Sequence, residues 1–181
     1  MVTQAIRGIP KHPLAIEDAE RTIRLIRFHA AEYHIDPQKI GVLGFSAGGY
    51  MVAAISTNYD ERLYPVIDKA DTVSCRPDFA VAIYPGHLRA SRDGLGLNPK
   101  IHVTRETPPS FLVQAEDDHV DNVNDALVYY IALKTMGVPV EMHLYPQGGH
   151  AFGLRRTNMP ITEWPDLMED WLRAIGMIPE Q

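Results

Sequence analysis

A chain of 181 residues, 45% apolar and 22% charged, has the make-up of one globular domain with a real core and is short for two. A net charge of −6 and a pI near 5.7 argue against a broad electrostatic footprint for nucleic acid, and the single Cys75 excludes both an internal disulfide and a thiolate zinc cluster. No stretch approaches the ~20 apolar residues of a membrane span, and the opening MVTQAIRGIPKHP lacks the apolar core of a secretory signal, so the expectation is a cytoplasmic protein without membrane or nucleic-acid partners.

Residues 3 to 7 read as a short strand, broken by Gly8-Ile9-Pro10 and Pro13. From Ala15 to about His34 the apolar residues Ile16, Ala19, Ile23, Ile26, Ala30 and Tyr33 recur at helical spacing. Arg21, Arg24 and Arg27 share one face of that helix, and the reading assigns them to solvent. HIDPQKI makes a turn, because a proline disfavours helix at the residue before it. Ile40 to Phe45 is a buried strand, followed with no polar linker by a helix over about 47 to 57. Residues 58 to 78 are irregular and enclose at most a short helix. DFAVAIYPG is a buried strand, and the polar stretch 87 to 109 is long for a plain connection, which makes it a candidate lid or substrate wall. Phe111 to Ala115 is the next strand, and a helix from about Asn122 to Met136 stops at Gly137. PVEMHLYPQ is the last strand, GGHAFGL the loop after it, and Trp164 to Ile175 a final helix with Trp164, Leu167, Met168, Trp171 and Leu172 on one face.

Strands alternating with helices imply an α/β fold, a mostly parallel sheet with helices on both faces, spanning residues 1 to 181 as one domain. Ligands of such sheets bind at the carboxyl ends of the strands. Three strands end there in polar residues: Ser46 after the second, Asp117 and Asp118 after the fourth, and His150 after the fifth. Gly44-Phe45-Ser46-Ala47-Gly48 matches G-x-S-x-G, in which a tight strand-to-helix turn lifts the serine above the sheet. The reading expects close backbone approach at Gly44, Ser46 and Gly48. A serine hydroxyl is a weak nucleophile, so it needs a base, and the base needs an acid to fix its tautomer. Ser46, Asp118 and His150 occur in that order along the chain. Taken singly, Ser46 could cap a helix, although its pentapeptide leans toward the nucleophile, Asp118 could equally cap the next helix, and His150 could equally bond its own loop; the agreement of all three in position favours chemistry. Gly148-Gly149 lets the loop aim His150 inward. Among the acids Asp117, Asp118, Asp121 and Asp125, Asp118 is preferred because it sits just past the strand, whereas Asp121 and Asp125 fall where they can cap and charge a helix N-terminus. A metal hydrolase using Asp118, His119, His143 and His150 is a weaker reading, since no histidine pair has helical zinc spacing.

The segments KIGVLGFSAGGYM, RPDFAVAIYPG, PPSFLVQAEDDHV, MGVPVEMHLYPQGGHAFGL and MEDWLRAIG together resemble the α/β-hydrolase superfamily, nearest its acetyl esterase and carbohydrate-esterase-like (endo-1,4-β-xylanase B-like) group. Dienelactone hydrolases and prolyl-oligopeptidase-type catalytic domains are further relatives. The resemblance covers nearly the whole chain. It implies a serine hydrolase of short-acyl carboxylic esters, acetyl esters of carbohydrates among them, with Ser46, Asp118 and His150 as the triad and no cofactor or metal. Two departures stand out. DDHVDNVND replaces the Pro-Val-rich turn and Glu-Asn pair usual in relatives, which puts the adjoining acyl pocket in doubt. The early strands and the His-Gly-Gly loop, which supplies oxyanion donors in that group, have no counterpart ahead of the first helix, leaving the Ala47 N–H as the expected donor. Loss of one such donor costs about 10²–10³ in kcat. The alternative is therefore a truncated or decayed scaffold with negligible turnover, serving in binding or assembly. The strand at 40 to 45 also lacks the charge or proline that blunts a sheet edge, so a homodimer or larger oligomer through the N-terminal edge is expected.

Overall fold

Two buried runs and two partly exposed ones, each of four to six residues, make the parallel sheet. In the computed structural model, which describes residues 13–180, they are β1 (Val42–Phe45), β2 (Ala80–Ile83), β3 (Ser110–Ala115) and β4 (Val140–Tyr145), side by side in that order. Val42 lies opposite Ala80, Ala80 opposite Ser110, and Ser110 opposite Val140, so all four strands begin at one level, and β3 and β4 run two residues beyond β1 and β2. The helices are α1 (Pro13–Phe28), α2 (Ala47–Thr57), α3 (Val123–Met136) and α4 (Trp164–Ala174), with 3₁₀ turns at Lys69–Thr72 and Pro160–Glu163. The strand expected at residues 3 to 7 lies outside the described residues.

Successive strand residues face opposite sides of a sheet, and here both sides are apolar. Ala80, Ala82 and Leu112 pack with Val52, Ala53, Val128 and Leu133 of α2 and α3. Val81, Ile83, Phe111 and Val113 pack with Trp164 and Trp171 of α4. Such a sheet, buried on both faces, reads as continuous hydrophobic runs. α1 extends the first layer by setting Ile23 against Ile40, Ile55 and Cys75.

Two expectations about α1 are corrected. The helix ends at Phe28, not near His34, and looser turns continue to a left-handed His34 at φ 55°, where the Ile35 N–H bonds back to the Ala30 carbonyl at 3.0 Å. Ala30 remains buried in that turn, which is why helical periodicity outlasts the helix. The arginine face is also not solvated. Arg21 pairs with Asp68 at 2.6 Å and Asp71 at 2.9 Å, Arg27 pairs with Asp78 at 2.8 Å, and Arg24, 6% exposed, reaches the Val73 carbonyl and the Cys75 Sγ. The irregular segment after α2 lies over α1 and supplies every one of these acceptors. β1 is shorter than expected because the Ile40 N–H bonds the Asp78 carboxylate before the ladder begins.

Candidate active site

Ser46 occupies the turn between β1 and α2 with φ 54° and ψ −118°, a conformation a non-glycine residue adopts only under strain. The Ser46 N–H bonds the Ile83 carbonyl at 3.0 Å, so β2 anchors the turn. Gly44 is where space runs out: a Cβ there would lie 2.2 Å from the Gly48 carbonyl oxygen. Gly48 itself is open, since a Cβ on it meets nothing within 4 Å, which corrects the expectation of crowding at that residue. The turn needs Gly44 to have no side chain so that the backbone of Gly48 can approach. Ala47 is the first residue of α2, and the unsatisfied N–H groups of a helix N-terminus therefore begin beside the serine.

The three residues selected from the sequence stand in one row. Ser46 Oγ lies 3.1 Å from His150 Nε2, and His150 Nδ1 lies 2.7 Å from Asp118 Oδ2. Asp118, facing Nδ1, fixes that nitrogen as one that carries a proton and turns Nε2 toward the serine. The Asp118 carboxylate is fully covered, while the His150 ring keeps 18% of its surface open. The Tyr84 ring meets the imidazole edge-on, with centroids 4.8 Å apart, and limits its rotation.

The neighbouring acids have separate tasks. Asp117 Oδ1 accepts the N–H groups of Gly148 at 2.9 Å and Gly149 at 2.7 Å, tying the acid loop to the histidine loop. Asp125 does not cap α3, where Asn122 is the N-cap; it accepts the Leu88 and Arg89 N–H groups and pairs with Arg89 at 3.2 Å. Asp121 does not cap α3 either. Its Oδ2 lies 3.0 Å from Ser46 Oγ and 3.9 Å from His150 Nε2. Burial pushes its carboxyl up, against the opposing pull of the Ser46 hydroxyl and of His150 and His87. Gln114, fully buried on β3, donates to the Asp121 carbonyl at 3.1 Å. The sequence reading missed Gln114, the role of Asp117 and the position of Asp121. The departure at DDHVDNVND was the available signal for Asp121.

Beside the row opens a cleft of about 680 Å³, lined by His87, Arg89, Arg92, Asp118, Asp121 and Asn122. The first part of the 87 to 109 stretch, from His87 to Asp93, therefore forms one wall, stiffened by an antiparallel bridge between Arg89 and Leu97. Among the described residues, no group of three or more His, Cys, Asp and Glu is placed to hold a metal ion, and no helix is long and apolar enough to cross a membrane.

Comparison with known proteins agrees with this arrangement of sheet and loops. The model of the prolyl oligopeptidase family matches residues 14–175. Endo-1,4-β-xylanase B of Butyrivibrio fibrisolvens is 30% identical over 165 residues, which are 82% of this chain and 26% of that protein. The acetylxylan esterase of Xylanibacter ruminicola is 29% identical over 172 residues, 90% of this chain and 36% of that protein. The chain thus spans about a third or less of these curated relatives. The solved structure of the acetyl ester-xyloside bifunctional hydrolase of Caldicellulosiruptor lactoaceticus superposes with a TM-score of 0.83 at 35% identity, covering 93% of this chain and 68% of that one. With a family match across most of its length and this sheet beneath its site, the chain belongs to the prolyl oligopeptidase family and has an acetyl-esterase-like α/β-hydrolase fold.

Proposed function

We propose that this chain hydrolyses short-acyl carboxylic esters by nucleophilic catalysis at Ser46. The observation that carries the reading is the hydrogen-bonded row from Ser46 Oγ through His150 to Asp118, with contacts of 3.1 and 2.7 Å. Ser46 Oγ attacks the ester carbonyl while His150 Nε2 takes its proton, and Asp118 stabilises the imidazolium that forms. His150 then gives the proton to the departing alcohol oxygen, leaving an acyl group on Ser46. Water attacks that acyl group with His150 again as base, His150 returns the proton to Ser46 Oγ as the Oγ–carbon bond breaks, and the carboxylic acid leaves. The Ala47 N–H, at the start of α2, is the donor for the oxyanion.

The polar lining of the cleft favours short acyl groups, because a long chain would find little apolar surface for burial. Acetyl esters of carbohydrates are the favoured substrate class, on the strength of relatives named as a xylanase, an acetylxylan esterase and an acetyl ester-xyloside hydrolase. The proposal extends to assembly. β1 is an edge strand among the described residues and leaves Leu43 44% exposed, so a second copy of the chain is the expected cover. Light scattering at micromolar concentration tests this, and a clean monomer refutes it.

Hydrolysis of p-nitrophenyl acetate by the protein and by Ser46→Ala, run side by side, tests the catalytic reading. The substitution should lower kcat by about 10⁴ or more. Equal rates would leave the folded scaffold without turnover as the account of this chain. Activity should also fall on the acid side, because a protonated imidazole cannot accept the serine proton.

A further inference from the structure

Ser46 has one hydroxyl hydrogen, and two acceptors compete for it: His150 Nε2 at 3.1 Å and Asp121 Oδ2 at 3.0 Å. The second contact joins residues 75 apart in sequence and is held from several sides. Asp118 Oδ1 accepts the Asp121 N–H at 3.0 Å, and Gln114 Nε2 donates to the Asp121 carbonyl. The carboxylate fits only because residue 86 is glycine, since a Cβ there would lie 2.0 Å from Asp121 Oδ1. Asp121 is 8% exposed, and the ionisable groups that face it are Asp118 from its own segment, His87 from the loop after β2 and His150 from the loop after β4. Ser46 faces it from the elbow.

We propose that Asp121 is a fourth acid–base member of the site, which holds the Ser46 hydroxyl hydrogen in the resting arrangement and, as a carboxylate 3.9 Å from His150 Nε2, sets the lower pH boundary of activity. This rests on the reading of Ser46 as nucleophile. With His150 protonated, every donor in the row has an acceptor: Nδ1–H to Asp118, Nε2–H to Ser46 Oγ, and the Ser46 hydroxyl to Asp121. Turnover requires that row to be broken. Nε2 loses its proton to solvent, and the serine hydrogen turns from Asp121 to Nε2. Attack then follows, in which the Oγ–H bond breaks with the proton passing to Nε2, the Oγ–carbon bond forms, and the carbonyl π pair moves to oxygen. An anionic carboxylate within 4 Å of Nε2 opposes the first of these events. The same charge favours the imidazolium formed during attack, so Asp121 sets when the site is armed without serving as the base.

The rate of Ser46 labelling by a small fluorophosphonate, followed from about pH 5 to 9, tests the proposal without requiring the natural ester. Asp121→Asn should move the acid limb down by about one pH unit, which is about tenfold faster labelling at its foot. Gly86→Ala keeps the carboxylate but drives it out of its notch, and should move the limb in the same direction by less. Either variant that folds decides the matter. An acid limb left in place, or moved upward, overturns the role of Asp121 while Ser46 still takes the label. If Ser46 takes no label in the unmodified protein, the nucleophile reading fails and this proposal falls with it.

Discussion

Asp71 and Asp121 are both buried, at 1% and 8% exposure, yet their surroundings treat the same side chain in opposite ways. Burial would raise both. At Asp71 it is outweighed by hydrogen bonds from the Tyr64 hydroxyl at 2.7 Å, the Ile67 N–H at 2.7 Å and Arg21 at 2.9 Å, and the carboxyl is held well below the usual carboxylate range. At Asp121 the hydrogen-bond donor is the Ser46 hydroxyl, Asp118 adds a like charge, and burial prevails. The first carboxylate is satisfied by fixed partners and fastens α1 to the segment after α2. The second depends on a hydrogen that the proposed chemistry must take away. The fold can supply a buried carboxylate with donors, as Asp71 shows, so the sparse provision at Asp121 marks a site kept apart from structural pairing.

The largest expected effect separates the two regions by activity. Asp118→Asn, which removes the acid that fixes the imidazole tautomer, should lower kcat on p-nitrophenyl acetate by about 10³–10⁴ with the thermal transition largely kept. Asp71→Asn should do the reverse. It takes a charged acceptor from Tyr64, Ile67 and Arg21, leaving Arg21 its pair with the more exposed Asp68, so Tm should fall by roughly 5–10 °C at neutral pH while kcat below the transition stays within about twofold. A large loss of kcat in soluble, folded Asp71→Asn would break the separation.

The two carboxylates should also show opposite signs in stability against pH. The native carboxyl of Asp71 is lowered, so its contribution is present above the unfolded carboxylate range near ~4 and is lost as pH falls through the native value. The native carboxyl of Asp121 is raised, so it costs stability once pH rises above that unfolded range. Asp121→Asn should therefore raise Tm by about 2–4 °C at neutral pH, with the gain vanishing below about pH 4. Differential scanning calorimetry across that range distinguishes the two signs, and a destabilised Asp121→Asn would make Asp121 a structural residue like Asp71.

The same contrast explains what the sequence could disclose. Ser46 was legible because its signal is local: glycines at fixed offsets around a serine, between two apolar runs, specify a strained turn. His150 and Asp118 followed because every strand of a parallel sheet ends on the same side. The division of labour between Asp117 and Asp118 was not legible, since adjacent residues in a turn point in directions that sequence spacing does not fix. The arginine face of α1 was misread for a related reason. Charges at helical spacing look alike whether they meet water or a carboxylate, and the acidic partners lie 47 to 51 residues away in a segment without periodicity. Asp121 was visible as a departure from the resembled family, but its contact with Ser46 depends on the notch at Gly86, which only the packed loops create.

The central claim is that Ser46 is the nucleophile, and intact-mass analysis after fluorophosphonate treatment tests it most directly. The account predicts one adduct per chain, mapped to Ser46, and none in Ser46→Ala. An adduct on another residue with Ser46 untouched, or equal labelling of the two proteins, would contradict it.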